Sequence, residues 1–193
     1  MFKVQDHYFK KAKQEGHLAR SFYKLDEINN KFRLINSNQK ILDCGYAPGS
    51  WSEFISKKIG PQGILCAVDI KSPTHAFGPN VKVFQKDIRD IHQLIDLEME
   101  DAFHLIVSDM APNTIGIDTV DQMQQLELVQ WVFNLIPVFL KKNGHLIVKV
   151  FESKDSQDFL RSQKVHFKKT DYFRPKSIRA SSREVYWIGQ NYG

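Results

Sequence analysis

The stretch ILDCGYAPGSW, residues 41–51, decides how the chain is read. An apolar run reaches Asp43, a turn with Gly45, Pro48 and Gly49 follows, and a helix start falls at Ser50 or Trp51. This order predicts a buried parallel strand, a tight turn and a helix N-terminus. Glycine tolerates positive φ and lets backbone approach a ligand closely. The helix start adds N–H groups without intrahelical partners at the same place. The spacing is G-x-x-x-G, not the G-x-G-x-x-G of a pyrophosphate-binding turn. Working outward, a second apolar run over 64–68 ends at Asp69, 26 residues beyond Asp43. An acidic residue at the end of a second strand is the usual partner of ribose hydroxyls in a nucleoside-binding βαβ unit. A third run, 81–85, leads to Asp87, and a fourth, 103–108, to Asp109. Successive strands thus each carry an aspartate at or near the C-terminal edge, where open α/β sheets bind ligands. Core packing has no use for carboxylates there, so a nucleoside cofactor is expected.

The flanking segments fit the same architecture. Residues 17–34 place Phe22, Leu25, Ile28 and Phe32 at helical spacing, with Ser21 as the expected N-cap and Lys24 beside the apolar stripe. A helix is expected over 50–58, a Pro/Gly-containing loop over 72–80 and a short helix near 90–97. The segment SDMAPN, 108–113, closes the fourth strand. A long helix over 121–140 follows, with Pro137 near its end. Asn143-Gly144 reads as a turn before a fifth strand, 145–151. A helix over 156–161 precedes two last strands, 165–173 and 184–190, which enclose the basic loop RPKSIRASSR. Strands alternating with helices predict a doubly wound α/β sheet. The length, 193 residues, predicts a single domain over 1–193, with a basic extension and helix in 1–38 ahead of the sheet.

Hydrophobic residues make up 42% of the chain, enough for a globular core. No run approaches a membrane span of about 18 apolar residues, and the first residues, MFKVQDHYFKKAKQEG, lack the apolar stretch of a signal peptide. Cys44 and Cys66 fall in expected strands without CxxC spacing, which suits small core residues in a reducing compartment and predicts no metal site. The expected location is the cytoplasm; a mitochondrial presequence would have to lie ahead of ARSFYKL, and 18 residues precede that segment. The net charge of +5 is unevenly spread. Residues 1–40 hold nine Lys/Arg against four Asp/Glu, and residues 161–193 eight against two, whereas the middle holds ten against sixteen. Two basic ends around an acidic centre suit a polyanionic partner.

Lys149 interrupts the apolar run LIV-K-VF. A lysine inside a buried strand is costly unless it is paired or functional. Asp109 ends the neighbouring strand of a doubly wound sheet, so the two can face each other at the C-terminal edge. Glu184 opens the last strand after the basic loop.

These residues resemble the FtsJ-type ribosomal RNA 2′-O-ribose methyltransferases, bacterial large-subunit branch. The resemblance spans about residues 5–190 and rests on ARSFYKL, DCGYAPGSW, SDMAPN, VKVF and SSREVY taken together. It implies a seven-stranded S-adenosylmethionine (SAM) methyltransferase sheet with the last-inserted strand antiparallel. It places a catalytic Lys-Asp-Lys-Glu tetrad on Lys24, Asp109, Lys149 and Glu184, and cofactor contacts on Gly49, Trp51, Asp69, Asp87 and Asp109. The implied acceptor is a ribose 2′-OH, that of a uridine, in large-subunit ribosomal RNA, approached by a monomer. Two departures are visible: Tyr46 stands where a small residue is common, and Glu152-Ser153 follows VKVF where Gln-Gly is common. On this view Asp69 holds ribose hydroxyls and Asp87 the adenine amine. Basic residues Arg20, Arg174, Lys176 and Arg179 grip RNA phosphates, and Tyr23 or Phe173 stacks a base.

Two other functions compete. An NAD-dependent oxidoreductase would use the same sheet, but it needs the pyrophosphate turn that is absent and leaves Lys24 and Glu184 without a role. A non-catalytic RNA-binding module would have no use for a buried lysine.

Overall fold

The computed structural model describes residues 7–113, 115–179 and 181–193. Helices α1 (His7–Gln14) and α2 (Ser21–Phe32) lead into strand β1 (Lys40–Cys44), then α3 (Ser50–Ile59), β2 (Ile64–Asp69) and β3 (Val81–Gln85). After two short 3-10 turns come β4 (Phe103–Ser108), α4 (Asp118–Phe139), β5 (Leu140–Phe151), α5 (Lys154–Gln163), β6 (Phe167–Phe173) and β7 (Glu184–Tyr192). The strands form one seven-stranded sheet in the order β3-β2-β1-β4-β5-β7-β6. β1 to β5 run parallel to one another, and β7 is antiparallel between β5 and β6. The chain winds outward from β1 to β3 and then returns to β4 on the other side of β1. That reversal opens a crevice beyond the strand ends between β1 and β4, the place where such sheets take ligands.

Both faces of the sheet are covered, which is why the central strands are apolar without alternation. Ile41, Leu65, Leu105, Val107, Ile147, Tyr186 and Ile188 pack with α2 and α3 on one face. Leu42, Cys66, Val68, Ile106, Leu146, Val148 and Trp187 pack with α4 and α5 on the other. Lys149 is in step with Ile147, so its side chain belongs to the α2 side.

Several local expectations needed correction. Ser21 is the first helical residue of α2 rather than its N-cap, which is Arg20 and makes no side-chain capping bond. The expected helix near 90–97 is two 3-10 turns, Ile88–Asp90 and Leu94–Leu97. β5 starts at Leu140 and runs through the expected turn, with Asn143 absorbing a φ of 61°. α1 was not expected as a separate helix.

Beneath the 41–51 turn lies a buried carboxyl. Asp43 is 1% exposed; its Oδ2 accepts the Ser52 hydroxyl at 2.7 Å, while Oδ1 has no partner among the described residues. Burial pushes the carboxyl up to about 7, Asp109 and Asp69 add to the rise, and the Ser52 bond opposes it. The folded protein therefore holds this proton more tightly than the unfolded chain does. Its contribution to stability is complete below the ordinary carboxyl value of 3.8 and is lost as pH rises through about 7. Urea unfolding of wild type and Asp43→Asn across this range should show the wild type losing ground to the variant as pH rises. A pH-independent difference would contradict the assignment.

Candidate active site

The site is built from strand ends that part. β4 stops at Ser108, whose partner on β5 is Val148, and the next residue on each strand is Asp109 and Lys149. Lys149 Nζ lies 3.2 Å from Asp109 Oδ1 and also donates to the Asp109 carbonyl. Lys149 pairs across β5–β7 with Tyr186, so the two side chains stand on the same face. The Tyr186 hydroxyl donates to Asp109 Oδ1 at 2.7 Å. Glu184, two residues before Tyr186 on the same face, meets Lys24 of α2, with Nζ 2.5 Å from Oε1. Both lysines are 6% exposed. The four residues expected as a tetrad thus form two ion pairs, Lys149–Asp109 and Lys24–Glu184, with the Tyr186 hydroxyl bonded to the carboxylate of the first. Tyr186 was missed from sequence.

Electrostatics fix the charge states. Burial would raise the Asp109 carboxyl, but Lys149, Lys24 and the Tyr186 hydroxyl outweigh it and leave it below the ordinary value. Burial holds the Tyr186 phenol well above its ordinary value, reinforced by Asp109 and Glu184, so it remains a donor.

Asp109 also borders a cleft of about 550 Å³ beyond the ends of β1, β2, β3 and β4. Gly45, Ala47, Asp69, Asp87, Met110 and Leu128 are among its walls. Gly45 has φ 76°, and a Cβ there would collide with the Met110 side chain. Asp69 Oδ2 accepts the Ala47 N–H at 3.0 Å and Oδ1 the Lys71 N–H at 2.9 Å, which ties the turn to the end of β2. Asp87 is engaged by Arg89 through Nε at 3.0 Å and Nη2 at 2.6 Å; this pairing holds its carboxyl below the ordinary value. Gly49 and Trp51, expected as cofactor contacts, do not line the cleft. The Gly49 Cα is covered by His75 and Phe77. The Trp51 ring packs on Tyr186 and donates to the Ser21 carbonyl at 2.9 Å.

At the rim, the Tyr46 side chain is buried against Phe77, so this departure from the family pattern braces loop 72–80. Glu152 is exposed, and Ser153 caps α5 through a reciprocal bond with Ser156. Tyr23 is not free to stack a base: it is 5% exposed and donates to Glu15 at 2.6 Å. Phe173 packs on Phe32 beneath Lys31. Arg174 is spent on the loop itself, bonding the carbonyls of Glu184, Arg179 and Ser182. Arg20 lies beside Arg179, Glu184 and Asp109. No group of three or more His, Cys, Asp and Glu able to hold a metal occurs among the described residues, and no described helix is long and apolar enough to cross a membrane.

The FtsJ-like methyltransferase family matches residues 18–192. A protein named ribosomal RNA large subunit methyltransferase E from Nitratidesulfovibrio vulgaris strain Miyazaki F is 38% identical over 190 residues, 97% of this chain and 94% of that one. The protein of the same name from Bdellovibrio bacteriovorus is 39% identical over 192 residues, 97% of each chain. A crystal structure of a Plasmodium falciparum protein described as a ribosomal RNA methyltransferase superposes with a TM-score of 0.77 at 25% identity, covering 90% of this chain and 97% of that one. With a fold, a cleft and a match over nearly its whole length in agreement, this chain belongs to the FtsJ-like methyltransferase family.

Proposed function

We propose that the chain, as one domain over 1–193, is a SAM-dependent methyltransferase that modifies a ribose 2′-OH in large-subunit ribosomal RNA. A monomer working in the cytoplasm on the RNA or the large subunit completes the proposal. The observation that carries it is the buried Lys149–Asp109 pair, opening onto the cleft walled by Asp69 and Asp87. The names of the bacterial relatives support ribosomal RNA as substrate. The ribose position rests on the Lys24, Asp109, Lys149 and Glu184 arrangement, and uridine on the family resemblance alone. The absence of a G-x-G-x-x-G turn disfavours a nicotinamide cofactor.

The cleft suits SAM. Its volume admits a nucleoside with an amino-acid tail, and carboxylates stand where hydroxyl and amine donors would arrive. When bound, SAM supplies a methyl group on a sulfonium centre. Asp69 would accept the ribose hydroxyls through lone pairs its backbone bonds leave open. Asp87 would accept the adenine amine in competition with Arg89. Lys149, steadied by Asp109, would orient the 2′-OH in line and, having first released its own ammonium proton to solvent, take the hydroxyl proton as the methyl group transfers. Lys24 and Glu184 would hold the nucleotide beside them.

Lys149→Ala should lower the single-turnover rate on hypomethylated ribosomal particles by roughly 10²–10⁴-fold with little change in SAM affinity. Activity close to wild type would remove Lys149 from the chemistry. Asp69→Ala should weaken SAM binding by roughly 1.5–3 kcal/mol in calorimetry and leave RNA affinity alone; loss of RNA binding instead would reverse the roles. Because Arg174 shapes its loop, the test of phosphate binding uses Lys176→Ala with Arg179→Ala. Each phosphate pairing removed should flatten the log affinity–log salt slope by about 0.7–0.9, and an unchanged slope would make this charge ordinary surface.

A further inference from the structure

The pairing of β5 with β4 ends at Val148, and from Lys149 onward β5 is hydrogen-bonded as a strand only to β7. The Lys149 carbonyl therefore lies where the ladder has run out. A buried backbone carbonyl without a partner costs about as much as a lost hydrogen bond. Here it is capped from the opposite face of the sheet: Gln125 of α4, 2% exposed, donates Nε2 to the Lys149 oxygen at 2.9 Å. The same gap is bridged the other way by Lys149 Nζ, which donates to the Asp109 carbonyl. Both carbonyls at the splay are thus capped by side chains, and the bonds run from Gln125 to Lys149 to Asp109, with Tyr186 closing on Asp109.

Among the described residues, Gln125 has no other side-chain bond that explains it. Its Oε1 is buried without a partner among the described residues, an arrangement that costs stability. Val129 and Val132, at i+4 and i+7 on the same side of α4, are core residues, and an apolar side chain at 125 would continue that stripe without that cost. A buried amide kept for a single bond, to the backbone of the residue beside Asp109, points to geometry rather than packing.

We propose that Gln125 is a positioning residue for methyl transfer: by capping the Lys149 carbonyl it fixes the end of β5 and so the reach of the Lys149 side chain toward the acceptor. The proposal rests on the role given to Lys149 above. Gln125 touches neither cofactor nor substrate, and the cleft is lined instead by its neighbours Gln124, Glu127 and Leu128. It should therefore act on rate and not on affinity.

The test replaces Gln125 with residues of similar size that cannot donate, Gln125→Met and Gln125→Leu, with Lys149→Ala alongside. Two variants guard against one that does not fold, and circular dichroism and thermal melting report folding. At saturating SAM and RNA the single-turnover rate should fall about tenfold or more, as small displacements of a reacting group do. The dissociation constants for SAM and RNA should stay within about twofold of wild type, since every group that binds them is intact. A lower melting temperature with an unchanged rate would make Gln125 structural only and overturn the inference. Affinities that fall in step with the rate would overturn it too, by placing Gln125 in the binding cleft. If Lys149→Ala is as active as wild type, the assignment of Lys149 itself fails and the inference with it; an inactive Lys149→Ala beside normal Gln125 variants isolates the failure to Gln125.

Discussion

The parting of β4 and β5 after Ser108 and Val148 is the constraint on which the rest of the site depends. Parallel strands held together to their ends would bury their last carbonyls in a ladder and leave no opening. Here the ladder stops at Val148 while β5 runs on to Phe151, and two charged side chains, Asp109 and Lys149, fill the gap with 3.2 Å between Nζ and Oδ1. A buried ion pair contributes little net stability, because desolvation offsets the attraction. Two such pairs, with both lysines 6% exposed, are hard to explain as stabilising devices. They are what a site needs if it must hold a fixed charge pattern next to the cleft that Asp109 borders. The rest of the fold keeps that pattern rigid. Tyr186 comes from the inserted antiparallel strand, Lys24 from a helix that precedes the sheet, and Trp51 joins that helix to the turn.

The antiparallel β7 also organises charge on a larger scale. Because β6 runs back alongside it, the basic C-terminal segment divides between opposite edges of the sheet. Lys176, Arg179 and Arg183 sit in the loop next to Glu184. Lys168 lies at the far end of β6, where it bonds Asn143 near the start of β5. Of these described residues, the first group stands beside the two buried ion pairs. Arg183 reaches Asp118 at the start of α4 at 2.9 Å, and Glu27 of α2 accepts the N–H groups of Lys176 and Ser177. The loop is thereby tied to α4 and α2.

Much of this was legible in the sequence. The central strands could be read because they are buried on both faces and so appear as unbroken apolar runs, each ending in an aspartate. Lys149 stood out as a charge in such a run. Tyr186 did not, because a tyrosine in a strand looks like core; only the pairing of Lys149 with Tyr186 brings its hydroxyl to Asp109. Gln125 was hidden for the converse reason, since a glutamine in a helix looks like solvated surface. The 3-10 turns after β3 are too short to show a period. The roles expected of Tyr23 and Arg174 fail because residue type alone does not reveal a local partner: Glu15 takes the tyrosine hydroxyl, and three carbonyls take the guanidinium.

The central claim is that the splayed strand ends direct a methyl group onto a ribose hydroxyl. The most direct measurement transfers a tritiated methyl from SAM to hypomethylated large ribosomal subunits and then hydrolyses the RNA with alkali. A 2′-O-methyl group removes the hydroxyl that alkaline cleavage requires, so the account predicts label in an alkali-stable dinucleotide. Label recovered in mononucleotides, on a base, would contradict it.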